Sequence, residues 1–190
     1  MRTRTIASII FVLLLFGAIK SYAAPLFQYR AEESAEAPKL VARNFLKWYK
    51  ENRERLETYR LISGNPGDST QAYRVNFTEA EKYLDELKKS GFFSDKYIQA
   101  FRKYFAIAGA NLLQNPQYDG PAEGFGYDLV LKTQDSGEIL DKIKKMKIIT
   151  KPISSDEAKV YLRFPRVTVA MVLMMSRSGG KWLIDSLDYV

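Results

Sequence analysis

The chain has 190 residues, of which 46% are hydrophobic, so it fits one folded domain and is not mainly disordered. It contains no cysteine and no histidine, which excludes disulfides, zinc fingers, iron–sulfur clusters, thiol nucleophiles and a Ser-His-Asp triad. Lysine and arginine outnumber aspartate and glutamate by 29 to 22, giving a formal charge of +7.

The N-terminal segment has the pattern of a secretory signal peptide. Arg2 and Arg4 precede an apolar run over residues 6–19, and small residues follow at Ser21 and Ala23. This run is shorter than the roughly 20 residues of a membrane span. We therefore expect cleavage after Ala23 and export to the periplasm or the outside, with no stable membrane anchor; an uncleaved anchor is the alternative.

Cleavage of the signal peptide would lower the net charge of the chain. The signal peptide carries three basic residues and no acidic ones, so the remainder has a net charge of +4. A surplus of this size is ordinary for a small domain and does not favour a nucleic-acid partner. The densest basic stretch, residues 141–147, has apolar residues between its lysines and is typical of a solvated face.

Three helices are predicted next. Residues 24–38 contain Glu32, Glu33 and Glu36 among several alanines, with little apolar content after Tyr29, and are expected to form a flexible lead-in to a single domain over residues 39–190. The first helix starts with Pro38 in its first turn and has an amphipathic pattern. The second starts at Thr78, which forms a capping box with Glu81, and the third runs from about residue 94 to 115.

The C-terminal part is rich in β-branched and alternating apolar residues, which predicts strands. The pair Gly179-Gly180 predicts a hairpin turn, and a shift of apolar parity between Ile184 and Leu187 predicts a β-bulge. Helices followed by an antiparallel meander indicate an α+β domain: three helices packed on a curved sheet of about four strands. The strands are predicted near residues 146–153, 160–164, 167–175 and 181–189.

This order of elements, with the ending Gly180-Lys181-Trp182-Leu183-Ile184-Asp185, resembles the cone-shaped, nuclear transport factor two-like (cystatin-like) superfamily. Through shorter stretches, among them residues 83–94 and Asp119-Gly120-Pro121, the chain also resembles an uncharacterised family of exported bacterial proteins, a domain of unknown function. The superfamily includes ketosteroid-isomerase-like enzymes, dehydratases, binding domains and scaffolds, so the resemblance implies a fold and a compartment but no activity. The stretches that carry the narrower resemblance are residues 83–94, Asp119-Gly120-Pro121, Tyr127-Asp128 and Thr133-Gln134-Asp135.

The loop over residues 115–128 contains the candidate site. A carboxylate of Asp119 or Asp128, desolvated in an apolar cone, would have a raised pKa and could serve as a base, with Tyr127 as a hydroxyl donor. The alternative interpretation is that Asp119 and Asp135 are turn residues whose side chains bond their own backbone. The candidate ligand-binding residues are Tyr118, Asp119, Phe125, Tyr127, Asp128 and Asp135.

We expect a non-enzymatic domain that binds a small molecule or a protein, with a pocket at the open end of the cone. A carboxylate-based enzyme of the ketosteroid-isomerase-like or dehydratase-like kind is the main alternative, and a module that docks a protein through a sheet face is another. No cofactor is expected. No metal site is expected either, because the acid spacing does not match a calcium loop.

Overall fold

A computed structural model of the protein describes residues 23–65, 67–68 and 70–190, with side chains from residue 37 onward. Residues 1–22, which include most of the predicted signal peptide, lie outside the described residues. The chain divides into two units, residues 1–33 and residues 34–190. The first unit is described only as helical backbone over residues 23–33, and all the side-chain contacts that the structure describes lie in the second.

Three main helices precede a four-stranded antiparallel sheet, which confirms the predicted α+β order of elements. The helices are α1 (Ala23–Glu57), α2 (Phe77–Lys89) and α3 (Asp95–Gln114). A short helix α4 (Ser136–Asp141) and a 3-10 turn (Ile143–Lys145) lead into the sheet.

The sheet is a simple meander in the order β3-β4-β5-β6. A separate two-stranded ribbon pairs β1 (Ile62–Ser63) with β2 (Arg74–Val75). The strands of the main sheet are β3 (Lys147–Pro152), β4 (Glu157–Arg163), β5 (Met171–Ser178) and β6 (Lys181–Tyr189).

The predicted hairpin and bulge are both present. Gly179 and Gly180 have φ of +56° and +79°, the left-handed conformation that a tight hairpin between β5 and β6 requires. Further along, Met175 pairs with Ile184 while Met174 pairs with Ser186. Asp185 therefore has no paired residue in the β5–β6 register, and this β-bulge explains the shift of apolar parity in the sequence.

One face of the sheet packs into the helices. Val160, Leu162 and Leu173 are fully buried in the main core together with Phe45 of α1 and Phe105 of α3. The segment between α2 and α3 fixes this packing, because Ser94 N–H donates to Ile184 O (3.0 Å) and Ile184 N–H donates to Phe92 O (2.8 Å). Aromatic rings on the helices thus cover the apolar face that the sheet presents.

The start of α2 differs from the prediction. Asn76, rather than Thr78, is the N-cap, and its side-chain oxygen accepts the N–H of Glu79 (3.2 Å). Asn is at least as good a cap as Thr, and a cap two residues earlier places Phe77 in the first turn. The Phe77 ring is 54% exposed and lies against Gly109 of α3, where an added Cβ would be 2.8 Å from Cζ.

Two further boundaries differ. Residues 24–38, expected to be a flexible lead-in, are helical, so Pro38 lies inside α1 instead of in its first turn. Alanine and glutamate are strong helix formers, which accounts for the longer helix. The strand predicted from residue 167 begins at Met171, because Arg166 has a φ of +64° and turns the chain after β4.

Candidate functional site

A cleft of about 570 Å³ lies between α1, α2, the β1 ribbon and the glycine-containing loop before α4. Its walls are mostly aromatic and aliphatic, with carboxylates only at Glu57 and Asp128 and no basic side chain among the described residues that line it. The lining residues are Tyr49, Leu56, Glu57, Tyr59, Leu61, Ile62, Tyr83, Phe125, Gly126, Tyr127, Asp128, Leu129, Gln134 and Ser136.

The cleft lies apart from the strands of the main sheet. A pocket was expected at an open end of the sheet, but no residue of β3–β6 is among the described residues that line this cleft. The sheet's inner face is instead filled by the helices, with Val160 and Leu173 fully buried. The cleft therefore belongs to the helical side of the fold.

Asp128 is the best-defined polar group of the cleft. One of its carboxylate oxygens, Oδ1, accepts hydrogen bonds from Tyr49 Oη (2.8 Å) and from the backbone N–H of Leu131 (2.8 Å). The backbone N–H of Asp128 donates to Thr133 O (3.0 Å). The other oxygen, Oδ2, is buried and has no hydrogen-bond partner in the described structure. Such a group is costly to bury alone, which marks it as a site for a donor.

Tyrosine hydroxyls surround this carboxylate. Burial raises the pKa of Tyr49, Tyr83 and Tyr97 well above the ordinary value, and the negative charge of Asp128 raises each of them further. Burial, followed by the Asp128 charge, raises the pKa of Tyr189 to about 12. All four are neutral at physiological pH. The hydroxyl of Tyr97 is buried without a partner, like Asp128 Oδ2.

The loop that carries Asp128 is held by α3. Tyr104 Oη donates a short hydrogen bond to the carbonyl oxygen of Gly124 and lies 3.2 Å from Tyr127 Oη. Phe125 stacks on Phe105 with ring centres 6.1 Å apart and planes 12° from parallel. Gly124 has a φ of +84° and an added Cβ would be 2.6 Å from Tyr104 Oη, so glycine is required there.

Three of the six predicted ligand-binding residues meet in the cleft, namely Phe125, Tyr127 and Asp128. The other three do not line it. Asp119 is exposed and its Oδ1 accepts the N–H of Gly120 (2.8 Å), as a turn residue does. Tyr118 is 39% exposed at the surface, and Asp135 is exposed at the start of α4.

The sequence pattern gave no functional signal for Leu56 and Glu57 of α1 or for Tyr83 of α2, which also line the cleft. Tyr49 and Tyr83 lie on the apolar stripes of their helices, a pattern that is usual for core residues. Ser136, which accepts a hydrogen bond from Arg53 Nη1 (3.3 Å), and Gln134 flank Asp135, so the acid was chosen and its neighbours were missed.

Comparison with known proteins finds no matching family model, no matching curated protein and no matching solved structure. Within the described residues, no helix is long and apolar enough to cross a membrane. No group of three or more acidic side chains is placed to hold a metal ion in that same part of the chain.

Proposed function

We propose that the protein is an exported ligand-binding domain whose cleft takes a small, mainly apolar molecule carrying one hydrogen-bond donor. The observation that carries the proposal is Asp128, a carboxylate set between Tyr49 and a buried backbone turn in an otherwise aromatic cleft. A hydroxyl, amide or ammonium group would donate to it.

The size and charge of the cleft limit the kind of ligand that it could bind. A volume of about 570 Å³ lies within the range of roughly 300–1,000 Å³ for small-molecule sites. The cleft is lined by the carboxylates of Glu57 and Asp128 and by no basic residue among those that the structure describes, which disfavours the binding of anions. Arg53, which is not a lining residue, forms an ion pair with Glu57 (3.2 Å). The ligand is therefore neutral or cationic.

The nuclear transport factor two-like superfamily and export from the cytoplasm are part of the same proposal. A cone-shaped, nuclear transport factor two-like fold is supported by three helices followed by a four-stranded antiparallel meander. Export is supported by the basic, apolar and small-residue pattern at the N-terminus.

A second candidate is proton transfer by Asp128. It is favoured by a partly buried carboxylate beside the Tyr49 hydroxyl in a cleft, the arrangement that carboxylate enzymes use. Binding remains the better-supported function, because the walls of the cleft are mostly aromatic and aliphatic and Asp128 Oδ1 already accepts two hydrogen bonds.

The binding proposal is tested with two matched probes, 2-naphthol and 2-methoxynaphthalene, which differ in a hydroxyl donor. We expect the exported protein to bind 2-naphthol more tightly, and Asp128→Asn to weaken that binding about 10-fold or more, since a hydrogen bond to a charged group contributes roughly 1.5–3 kcal/mol. Dissociation constants from isothermal titration calorimetry provide the measurement.

Asp119→Asn is the matched control, because Asp119 lies outside the cleft. Equal affinity for the two probes, or an equal loss in both variants, would overturn the proposal. The enzymatic candidate is tested by NMR of deuterium uptake into 3-cyclohexenone in D₂O. Uptake above the buffer rate that disappears in Asp128→Asn and persists in Asp119→Asn would establish it.

A further inference from the structure

The outer face of the sheet, on the side away from the core, carries an unusual arrangement of charge. In the β3–β4 register, Lys147 lies directly opposite Arg163, and Lys151 lies directly opposite Lys159. Directly opposite residues share a face of the sheet. Four cations thus occupy two rows, which are about 13 Å apart along the strands. We call this set the basic face.

No member of the basic face has an ion-pair partner within the part of the chain that the structure describes. Like charges placed directly opposite one another across two strands destabilise a sheet. Between residues 142 and 166 the sequence has eight basic and two acidic residues, so the local surplus exceeds the +4 of the whole processed chain. This clustering of like charges points to an anionic partner outside the chain.

Apolar groups lie between and beside these cations. Ile149 pairs with Tyr161 in the row between them, and both are partly exposed. Lys151 Nζ lies 5.1 Å from the centre of the Tyr161 ring. At the tip of the β3–β4 hairpin, Ile153 is 51% exposed. The alternating side chains Val160 and Leu162 are buried on the opposite side, so the basic face has no part in the core.

We infer that the basic face is a docking surface for an anionic phospholipid bilayer. Lysine and arginine bind lipid phosphates, while tyrosine and isoleucine suit the boundary between headgroups and acyl chains. A soluble polyanion would match the cations but would leave Ile149, Tyr161 and Ile153 in water. The predicted export signal also favours a membrane over a nucleic acid, since export delivers the chain to a membrane surface.

The test is co-sedimentation of the exported protein with vesicles of phosphatidylcholine alone or mixed equally with phosphatidylglycerol. We expect binding only to the mixed vesicles, and loss of that binding at 0.5 M salt, on the order of the ionic strength that screens surface charge. The double variant Lys151→Gln, Lys159→Gln should bind about 30-fold more weakly, because each basic residue near an anionic surface contributes a factor of roughly five to six.

The matched control is Lys96→Gln, Lys103→Gln, which removes the same charge from exposed positions on α3. It should reduce binding less than threefold. Equal weakening by the two double variants, equal binding to neutral and anionic vesicles, or preferential binding to soluble dextran sulfate would each overturn the inference. Binding of 2-naphthol should be unchanged in both variants, so failure here is distinct from failure of the proposed cleft.

Discussion

Charged side chains form ion pairs in the helical layer, whereas like charges lie opposite each other on the outer face of the sheet. On the helices, Arg102 forms a two-pronged ion pair with Glu81 (2.9 and 2.8 Å), and Arg55 bridges α1 to Glu86 of α2. On the sheet, Lys151 and Lys159 face each other with no acid between them. The helices use charge to hold elements together. On the outer face of the sheet, like charges lie side by side.

The largest expected difference in unfolding free energy is between substitutions on the two faces of the sheet. Leu173 and Met174 are neighbours on β5, but Leu173 is fully buried in the core while Met174 lies on the outer face and is partly exposed. Leu173→Ala should lower the free energy of unfolding by about 2–5 kcal/mol, and Met174→Ala by about 1 kcal/mol or less. Urea unfolding gives both values. Similar losses would show that the outer face is also a packed core.

The next effect concerns the neutral tyrosines of the helical side. Tyr49 keeps its proton in the folded chain because burial raises its pKa, whereas in the unfolded chain it ionises near pH 10. Its contribution is therefore complete below pH 10 and is lost progressively as the pH rises further. Tyr49→Phe should make the decline of unfolding free energy above pH 10 shallower by about 1.4 kcal/mol per pH unit.

Tyr189→Phe provides the comparison for this alkaline titration. The pKa of Tyr189 is raised only to about 12, so its effect on the slope should end near pH 12 while that of Tyr49 continues. Chemical unfolding at a series of alkaline pH values measures both slopes. A Tyr49→Phe protein with the wild-type slope would mean that the Tyr49 hydroxyl reaches solvent.

A comparable change in stability is expected where α3 holds the cleft loop. Gly124→Ala places a side chain at a φ of +84° and against Tyr104 Oη, so it should destabilise the protein by about 1–2 kcal/mol and weaken 2-naphthol binding. Gly179→Ala is the control, since it has a similar positive φ of +56° but open space around it. Loss of probe binding in the Gly179 variant alone would contradict the assignment of the cleft.

The smallest expected changes in stability have opposite signs on the helices and on the sheet. Arg102→Gln should lower the free energy of unfolding by about 0.2–1 kcal/mol, the range for exposed ion pairs. Lys159→Gln should raise it by a few tenths of a kcal/mol, about the size of a cross-strand charge effect, because it removes a like-charged neighbour of Lys151. Thermal unfolding at low and high salt measures both. Destabilisation in each case would mean that Lys159 has a partner within the chain.

The sequence predicted the elements of the fold because their signals are local. The parity shift between Ile184 and Leu187 located a bulge that the β5–β6 register places at Asp185. Gly91, which has a φ of +74°, marked the end of α2 in the same way. Asn76 and Thr78 are both suitable N-cap residues for α2; the sequence pattern predicted Thr78, and the structure has Asn76.

The candidate site was predicted only in part, because its chemistry depends on contacts between distant residues. Phe125, Tyr127 and Asp128 could be chosen from an unusual loop, but the partner of Asp128 is Tyr49, 79 positions away. An amphipathic stripe shows that a tyrosine faces inward and does not show what its hydroxyl meets. The basic face was equally hidden, since it exists only once the register sets Lys151 beside Lys159.

The pairing of the α2–α3 segment with β6 has a consequence for how the protein behaves when concentrated. An uncovered sheet edge can recruit strands from other molecules and start aggregates, and charged side chains or proline discourage this. Residues Phe92 and Ser94 occupy backbone positions of β6 at Ile184, so part of that edge is already taken. The opposite edge, β3, ends in Pro152 and carries Lys147 and Lys151. The chain therefore occupies part of the β6 edge and places charge and a proline on the β3 edge, both of which discourage the addition of a foreign strand.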